Sequence, residues 1–133
     1  MNTFDLQIVT PDGEVFSGLA ESLLIRTDEG DTEILAGHAD YIAALGTGRA
    51  RIKTEGADRF ASASRGVITV KDGRVTLAAV TFEFSENIDI ERAKRAKAYA
   101  EEKIREAKDE RTLVSLQAKL KRAIARIKAY ELK

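Results

Sequence analysis

The sequence predicts an α+β protein, with an N-terminal β-sandwich or flattened barrel over residues 1–86 and an antiparallel two-helix hairpin over residues 87–133. Three observations carry this reading. All nine glycines fall between Gly13 and Gly73 and the only proline is Pro11, so the last 60 residues lack both of the strongest chain breakers. From Asp89 onward the chain is built of Ala, Lys, Arg, Glu, Leu and Ile, the residues that lose least side-chain freedom in a helix. The charge divides at the same place. Residues 1–86 carry 14 acidic and 8 basic side chains and residues 87–133 carry 8 and 14, so a net charge of zero conceals halves at −6 and +6.

In chain order, Phe4, Leu6 and Ile8 alternate with Asp5, Gln7 and Val9, the period of two expected of a half-buried strand from Phe4 to Thr10. Pro11-Asp12-Gly13 ends it. A segment from Ser22 to Thr27 follows, then the turn Asp28-Glu29-Gly30-Asp31 and the short pair Ile34-Leu35. Further runs cover Ala39 to Leu45, Arg49 to Thr54, Arg59 to Ser64 and Val67 to Lys71. Asp72-Gly73 then leads into Arg74 to Val80 and gives the clearest hairpin signal, because Gly accepts the positive φ such a turn demands. Eight or more short strands so spaced favour a sandwich over a single open sheet.

The helical half carries two apolar stripes. Ala93, Ala96, Ala100, Ile104 and Ala107 recur at steps of three and four, as do the bulkier Leu113, Leu116, Leu120, Ile124 and Ile127. A small stripe facing a large one suits two closely packed antiparallel helices of about 18 residues, roughly 27 Å each. The polar break at 108–112 separates them, with Asp109 or Thr112 as the cap of the second. So little bulk needs outside support, from the acidic half of the chain or from a partner. Two supports make a switch, and one makes a permanently docked tail.

Composition narrows the function classes. Hydrophobic residues make up 44% and charged residues 33%, with no apolar run near the 20 residues of a membrane span. The opening Met-Asn-Thr-Phe-Asp has no basic stretch before an apolar block, and cysteine is absent, so an intracellular protein is expected. Zero net charge argues against a general nucleic-acid binder. There is no G-x-x-x-x-G-K-[ST] phosphate loop and no G-x-S-x-G elbow. His38 is the only histidine and reads as a loop residue, and the acidic stretch Asp28 to Asp31 with Glu33 lacks the ligand spacing of an EF-hand loop. No catalytic or metal-ligating set is identified, and no enzyme is expected.

Two charge patterns stand out. Ile88-Asp89-Ile90-Glu91-Arg92-Ala93 sets Asp89 and Arg92 three apart at a helix start, and Arg122 and Arg126 lie four apart on one side of the second helix, where they could converge on phosphate oxygens. The simpler reading of both is exposed surface charge.

The chain closely resembles the epsilon subunit of bacterial F-type ATP synthases over nearly its whole length. Val9-Thr10-Pro11-Asp12-Gly13 is similar to the family's V-T-P-x-G turn, Gly37-His38 to the end of its G-I-L-P-G-H loop, and Val75-Thr76-Leu77 to its V-T-I/L strand. Ile88-Asp89-x-x-Arg92-Ala93 is similar to the I/L-D-x-x-R-A signature at the domain junction. The resemblance implies a noncatalytic rotor subunit. Residues 1–86 would bind the gamma subunit and the membrane rotor ring, with Asp31, Glu33 and His38 at the ring interface. Residues 87–133 would be regulatory, folded against the sandwich or extended along gamma toward the catalytic alpha/beta hexamer, where they inhibit ATP hydrolysis. It further implies a peripheral position at the cytoplasmic face of the bacterial plasma membrane, without membrane insertion or nucleic-acid binding. No cofactor is required, but ATP is a regulatory ligand in some members; carried over by motif, its site comprises Glu83, Ile88, Asp89, Arg92, Ala93, Arg122 and Arg126. Three departures bear on this. Thr32-Glu33 and Ala36 replace an apolar residue, Gly and Pro in the ring loop, Ser64-Arg65-Gly66 replaces S-G-G, and Tyr99 stands where nucleotide-binding members tend to have Arg. An alternative is an RNA-polymerase-binding factor whose hairpin carries an acidic tip such as Asp109-Glu110, although in such factors the hairpin comes first.

Overall fold

The computed structural model describes residues 2–132 and contains ten strands, one short 3-10 turn and two helices. The strands are β1 (Phe4–Thr10), β2 (Gly13–Ala20), β3 (Ser22–Thr27), β4 (Gly30–Leu35), β5 (Tyr41–Leu45), β6 (Gly48–Thr54), β7 (Ala57–Ala63), β8 (Gly66–Lys71), β9 (Arg74–Ala79) and β10 (Phe82–Phe84). A 3-10 turn at Ser85–Asn87 leads into α1 (Ile90–Glu106) and α2 (Glu110–Glu131).

The strands follow the order β10-β7-β6-β3-β5-β8-β9-β1-β2, with β4 on β3. The path folds over at one point, because β3 and β5 share only the Thr27–Leu45 pair. One layer is therefore β10, β7, β6, β3 and β4, and the other is β5, β8, β9, β1 and β2. The expected sandwich or flattened barrel is what forms. Between the layers, Leu6, Ile8, Leu23, Ile25, Ile34, Ile52, Ile68 and Leu77 are almost wholly removed from water. The spacing of two in Leu6/Ile8 and Leu23/Ile25 is the alternation that puts one set of side chains inside.

Turn chemistry explains the hairpins. Asp72 at φ 50° and Gly73 at φ 78° both adopt the left-handed conformation that a two-residue β8–β9 turn requires. Gly66 answers a different need. A Cβ there would stand 1.9 Å from the Ala78 carbonyl oxygen, so only glycine lets β8 approach β9. The third position of the Ser64-Arg65-Gly66 motif is thus fixed by backbone contact.

Two strands lie outside the expected set. β2 occupies 13–20, where Gly-Glu-Val-Phe-Ser-Gly-Leu-Ala has no clean alternation because this edge strand leaves most residues exposed or half-buried. β10 is three residues long, held to β7 by pairing of Phe82 to Ala63 and Phe84 to Ala61. A third difference concerns the stretch expected as the turn Asp28 to Asp31. The turn uses only Asp28 and Glu29, Thr27 pairs with Gly30, and β4 runs on through Asp31 and Glu33.

The hairpin forms as expected, although its arms differ, at 17 and 22 residues. Each helix is started by an aspartate. Asp89 accepts from the Arg92 backbone N–H at 3.1 Å, and Asp109 from that of Thr112 at 2.7 Å. α2 lies between α1 and the strands β6 and β7. The expected pairing of a small stripe with a large one is only partly realised. On α2 the buried residues are Leu116, Ala123, Ala125 and Ala129, while Leu113, Leu120, Ile124 and Ile127 are half-buried. Ala123 and Ala125 are about 200° apart around the axis, so α2 is covered from two sides. Periodicity within one helix registers a single stripe and so missed the second covered side.

Candidate functional site

The sandwich and the hairpin meet at the 3-10 turn and along α2. Glu83 on β10 accepts from Arg126 Nε on α2 at 2.5 Å, a link spanning 43 positions of sequence. Beside it, Arg59 of β7 donates to Glu86 at 2.6 Å and lies 3.7 Å over the Phe84 ring, which fixes the start of the turn. Ile88 is buried immediately after. Asp89 spends its carboxylate on the cap of α1, and Ala93 is buried one turn later.

Between α1 and α2 runs an open groove of about 510 Å³. Arg92, Arg95 and Tyr99 line it from α1, and Lys119, Arg122 and Arg126 from α2. Both sets are spaced three and then four apart, which sets three side chains on one face of each helix. No carboxylate lines it, and only Arg126 has an ion-pair partner among the described residues. The groove is therefore strongly cationic, with an aromatic ring at its edge. Tyr99 is more than half exposed, with Lys103 Nζ 5.7 Å from its centroid.

Of the residues expected at a nucleotide site, the structure gathers Arg92, Arg122 and Arg126 in this groove and joins Glu83 to it through Arg126. Ile88, Asp89 and Ala93 form the junction next to it, two as buried apolar residues and one as a cap. Arg95 and Lys119 were missed. Their signal was present in the spacing of Arg92-Arg95-Tyr99 and Lys119-Arg122-Arg126, which repeats on both helices.

The residues expected at the ring interface have three separate neighbours. Asp31 accepts from Arg26 Nε at 2.8 Å, and Glu33 is bound by Arg51 at 2.5 Å, both on β4. His38 lies in the loop beyond β4, where Nδ1 donates to the Ala39 carbonyl at 2.7 Å and the ring stands 5.5 Å from Tyr41.

The layer turned away from the hairpin exposes an apolar strip. Ala44 pairs with Val67, Val67 with Ala78 and Ala78 with Val9, so these four lie on one face across β5, β8, β9 and β1. Ile42 stands beside them at 71% exposure. Among the described residues no group of His, Asp or Glu is arranged to hold a metal ion.

Comparison with known proteins agrees with this division. Residues 3–85 match the family described as ATP synthase, Delta/Epsilon chain, beta-sandwich domain, and residues 86–131 the one described as ATP synthase, Delta/Epsilon chain, long alpha-helix domain. An ATP synthase epsilon chain from Ruminococcus albus is 39% identical over 129 residues, covering 96% of both chains. One from Bacillus licheniformis is 37% identical over 127 residues, covering 96% of this chain and 97% of that one. Among solved structures, a chain in a cryo-EM structure of the Euglena gracilis mitochondrial ATP synthase, which includes its c-ring, superposes with a TM-score of 0.85 at 25% identity. That match covers 100% of this chain and 83% of the other.

Proposed function

The chain belongs to the ATP synthase epsilon-chain family, and from that premise we propose that its sandwich fastens it to the rotor of an F-type ATP synthase while its hairpin restrains ATP hydrolysis. It contributes no catalytic residue. The sandwich docks on the gamma subunit and the membrane rotor ring and helps couple proton-driven rotation to ATP synthesis. The strip of exposed Ala44, Val67, Ala78 and Ile42 with half-buried Val9 is the face offered to gamma, because it is apolar and lies opposite the hairpin. Asp31, Glu33 and His38 remain the ring-facing residues of this reading. The protein is then peripheral to the cytoplasmic face of the plasma membrane; no described helix is long and apolar enough to cross a membrane. Family membership leaves the polymerase-factor alternative without support.

The observation that carries the regulatory half is the way the hairpin is held. α2 lies on β6 and β7 with Leu116 and three alanines as its buried residues, and the partly exposed Glu83–Arg126 pair ties it to β10, contacts weak enough to exchange for others on the catalytic subunits. Truncation after Ser85 tests this in the reconstituted complex. ATP hydrolysis should rise while the complex still assembles, and unchanged hydrolysis would refute the brake. Val67→Glu should prevent co-purification with gamma, and retention of the pair would remove the strip from the interface.

ATP sensing is the second part of the proposal. Arg92, Arg122 and Arg126 suit a phosphate chain that bridges both helices and so favours the folded hairpin, and Tyr99 substitutes stacking area for a phosphate donor. Calorimetry on the whole chain should register binding at or below millimolar ATP, with loss on Arg92→Ala. Absence of heat at that concentration would reject the site.

A further inference from the structure

α2 has a second basic side. Lys121 and Lys128, seven apart and so on one face, line an open groove against the sandwich of about 730 Å³. Arg26 of β3 and Arg49 of β6 line the opposite wall, with Asp31 and Glu131 as the carboxylates present. Asp31 is taken by Arg26 at 2.8 Å, whereas Arg49, Lys121 and Lys128 make no ion pair among the described residues. The β5–β6 turn closes over the Arg26 stem, since a Cβ on Gly48 would lie 3.0 Å from Arg26 Cβ. None of these residues lines the groove between the helices.

This arrangement sets like charges from two parts of the chain face to face. Docking α2 therefore gathers Arg49, Lys121 and Lys128 with only the Glu131 carboxylate to offset them, so a further anion between them lowers their repulsion. We propose that this groove binds an oligophosphate, as a free chain or as the tail of a nucleotide, and that its occupancy holds the hairpin on the sandwich. Arg49 offers a planar fork and the two lysines offer point charges, which together suit several adjacent phosphates. A ligand that needs both walls binds only the docked pose, so it raises the docked population in proportion to its occupancy.

The test uses the whole chain and inorganic triphosphate. Hydrogen exchange of α2 amides should slow at millimolar triphosphate, beyond the effect of sodium chloride at matched ionic strength. The Arg49→Gln/Lys128→Gln double variant should weaken binding by about tenfold or more. Its unliganded melting temperature reports that it folds, because both side chains are exposed. The Arg92→Ala/Arg122→Ala double variant should bind triphosphate in this groove within about twofold of the parent, which separates it from the interhelical site. In that background, ATP binding as tightly as triphosphate assigns the groove to nucleotide tails as well, and binding tenfold more weakly assigns it to free chains. Protection no greater than that from sodium chloride, or equal binding by the Arg49→Gln/Lys128→Gln variant, would overturn the proposal.

Discussion

The sandwich and the hairpin bury different kinds of side chain. In the sandwich the largest fully buried side chains are Leu and Ile, with Phe4, Phe82 and Phe84 close behind and Ala20, Ala50, Ala61 and Ala63 filling in between. In the helices they are Ala93, Ala100, Ala123, Ala125 and Ala129, joined by Leu116. Burying a branched or aromatic side chain stabilises by about 1.5–3 kcal/mol, whereas a methyl group is worth about 0.8 kcal/mol or less. The sandwich therefore supports itself, and the hairpin depends on what it leans against. The buried residues of α2, which packs on β6 and β7, are mostly small, as the proposed exchange of the hairpin onto other subunits requires.

The largest effect should come from the self-supporting side. Ile52→Ala, at a position with 0% exposure, should cost about 3 kcal/mol in urea unfolding followed by circular dichroism. It should lower the stability of sandwich and hairpin together, because the hairpin loses its platform. Next comes Ala129→Leu, which forces bulk into a contact with no room. About 2 kcal/mol of docking should be lost, read as faster hydrogen exchange in α2 with exchange in β8 and β9 unchanged. Glu83→Gln removes the ion pair with Arg126 and should weaken docking by about 0.5 kcal/mol, since both side chains are about one-third exposed. A uniform slowing or quickening of all amides by either variant would break the distinction between the two regions.

The smallest effect is confined to one turn. The Thr112 backbone N–H, and after it the Thr112 side chain, hold the Asp109 carboxyl below the usual range. The charged form is thus favoured by folding. Its contribution is complete above the unfolded carboxylate value of about 3.9 and is lost as pH falls through the lower folded value. Asp109→Ala should fray the first turn of α2 at neutral pH and remove this acid-induced step from the Thr112 amide shift. A step that persists in the variant would assign it to another group.

Much of this contrast was legible in the sequence. The end of glycine usage at Gly73, the Asp72-Gly73 turn and the cap of the second helix, expected at Asp109 or Thr112 and found at Asp109, rest on local backbone rules, whereas the capping role of Asp89 emerged only in the fold. β2 and β4 were harder to read. Their side chains face water on both sides or carry charges paired to other strands, as Asp31 does with Arg26 on β3 and Glu33 with Arg51 on β6, so no hydrophobic alternation marks them. The groove residues Arg92, Arg122 and Arg126 could be named from motif and spacing. That Lys121 and Lys128 face Arg26 and Arg49 could not, because it depends on the tertiary placement of α2 on β6. The opposite charges of the two halves, −6 and +6, meet as an ion pair at Glu83 and Arg126, while the other side of α2 meets like charge.

Native-state hydrogen exchange across the intact chain tests most directly whether the hairpin is a separable unit on a self-supporting sandwich. Amides of α1 and α2 should open with a free energy well below that of β8 and β9, and with a smaller dependence on low urea than theirs. A single opening free energy shared by helices and strands, with one urea dependence, would show one cooperative unit and contradict the account.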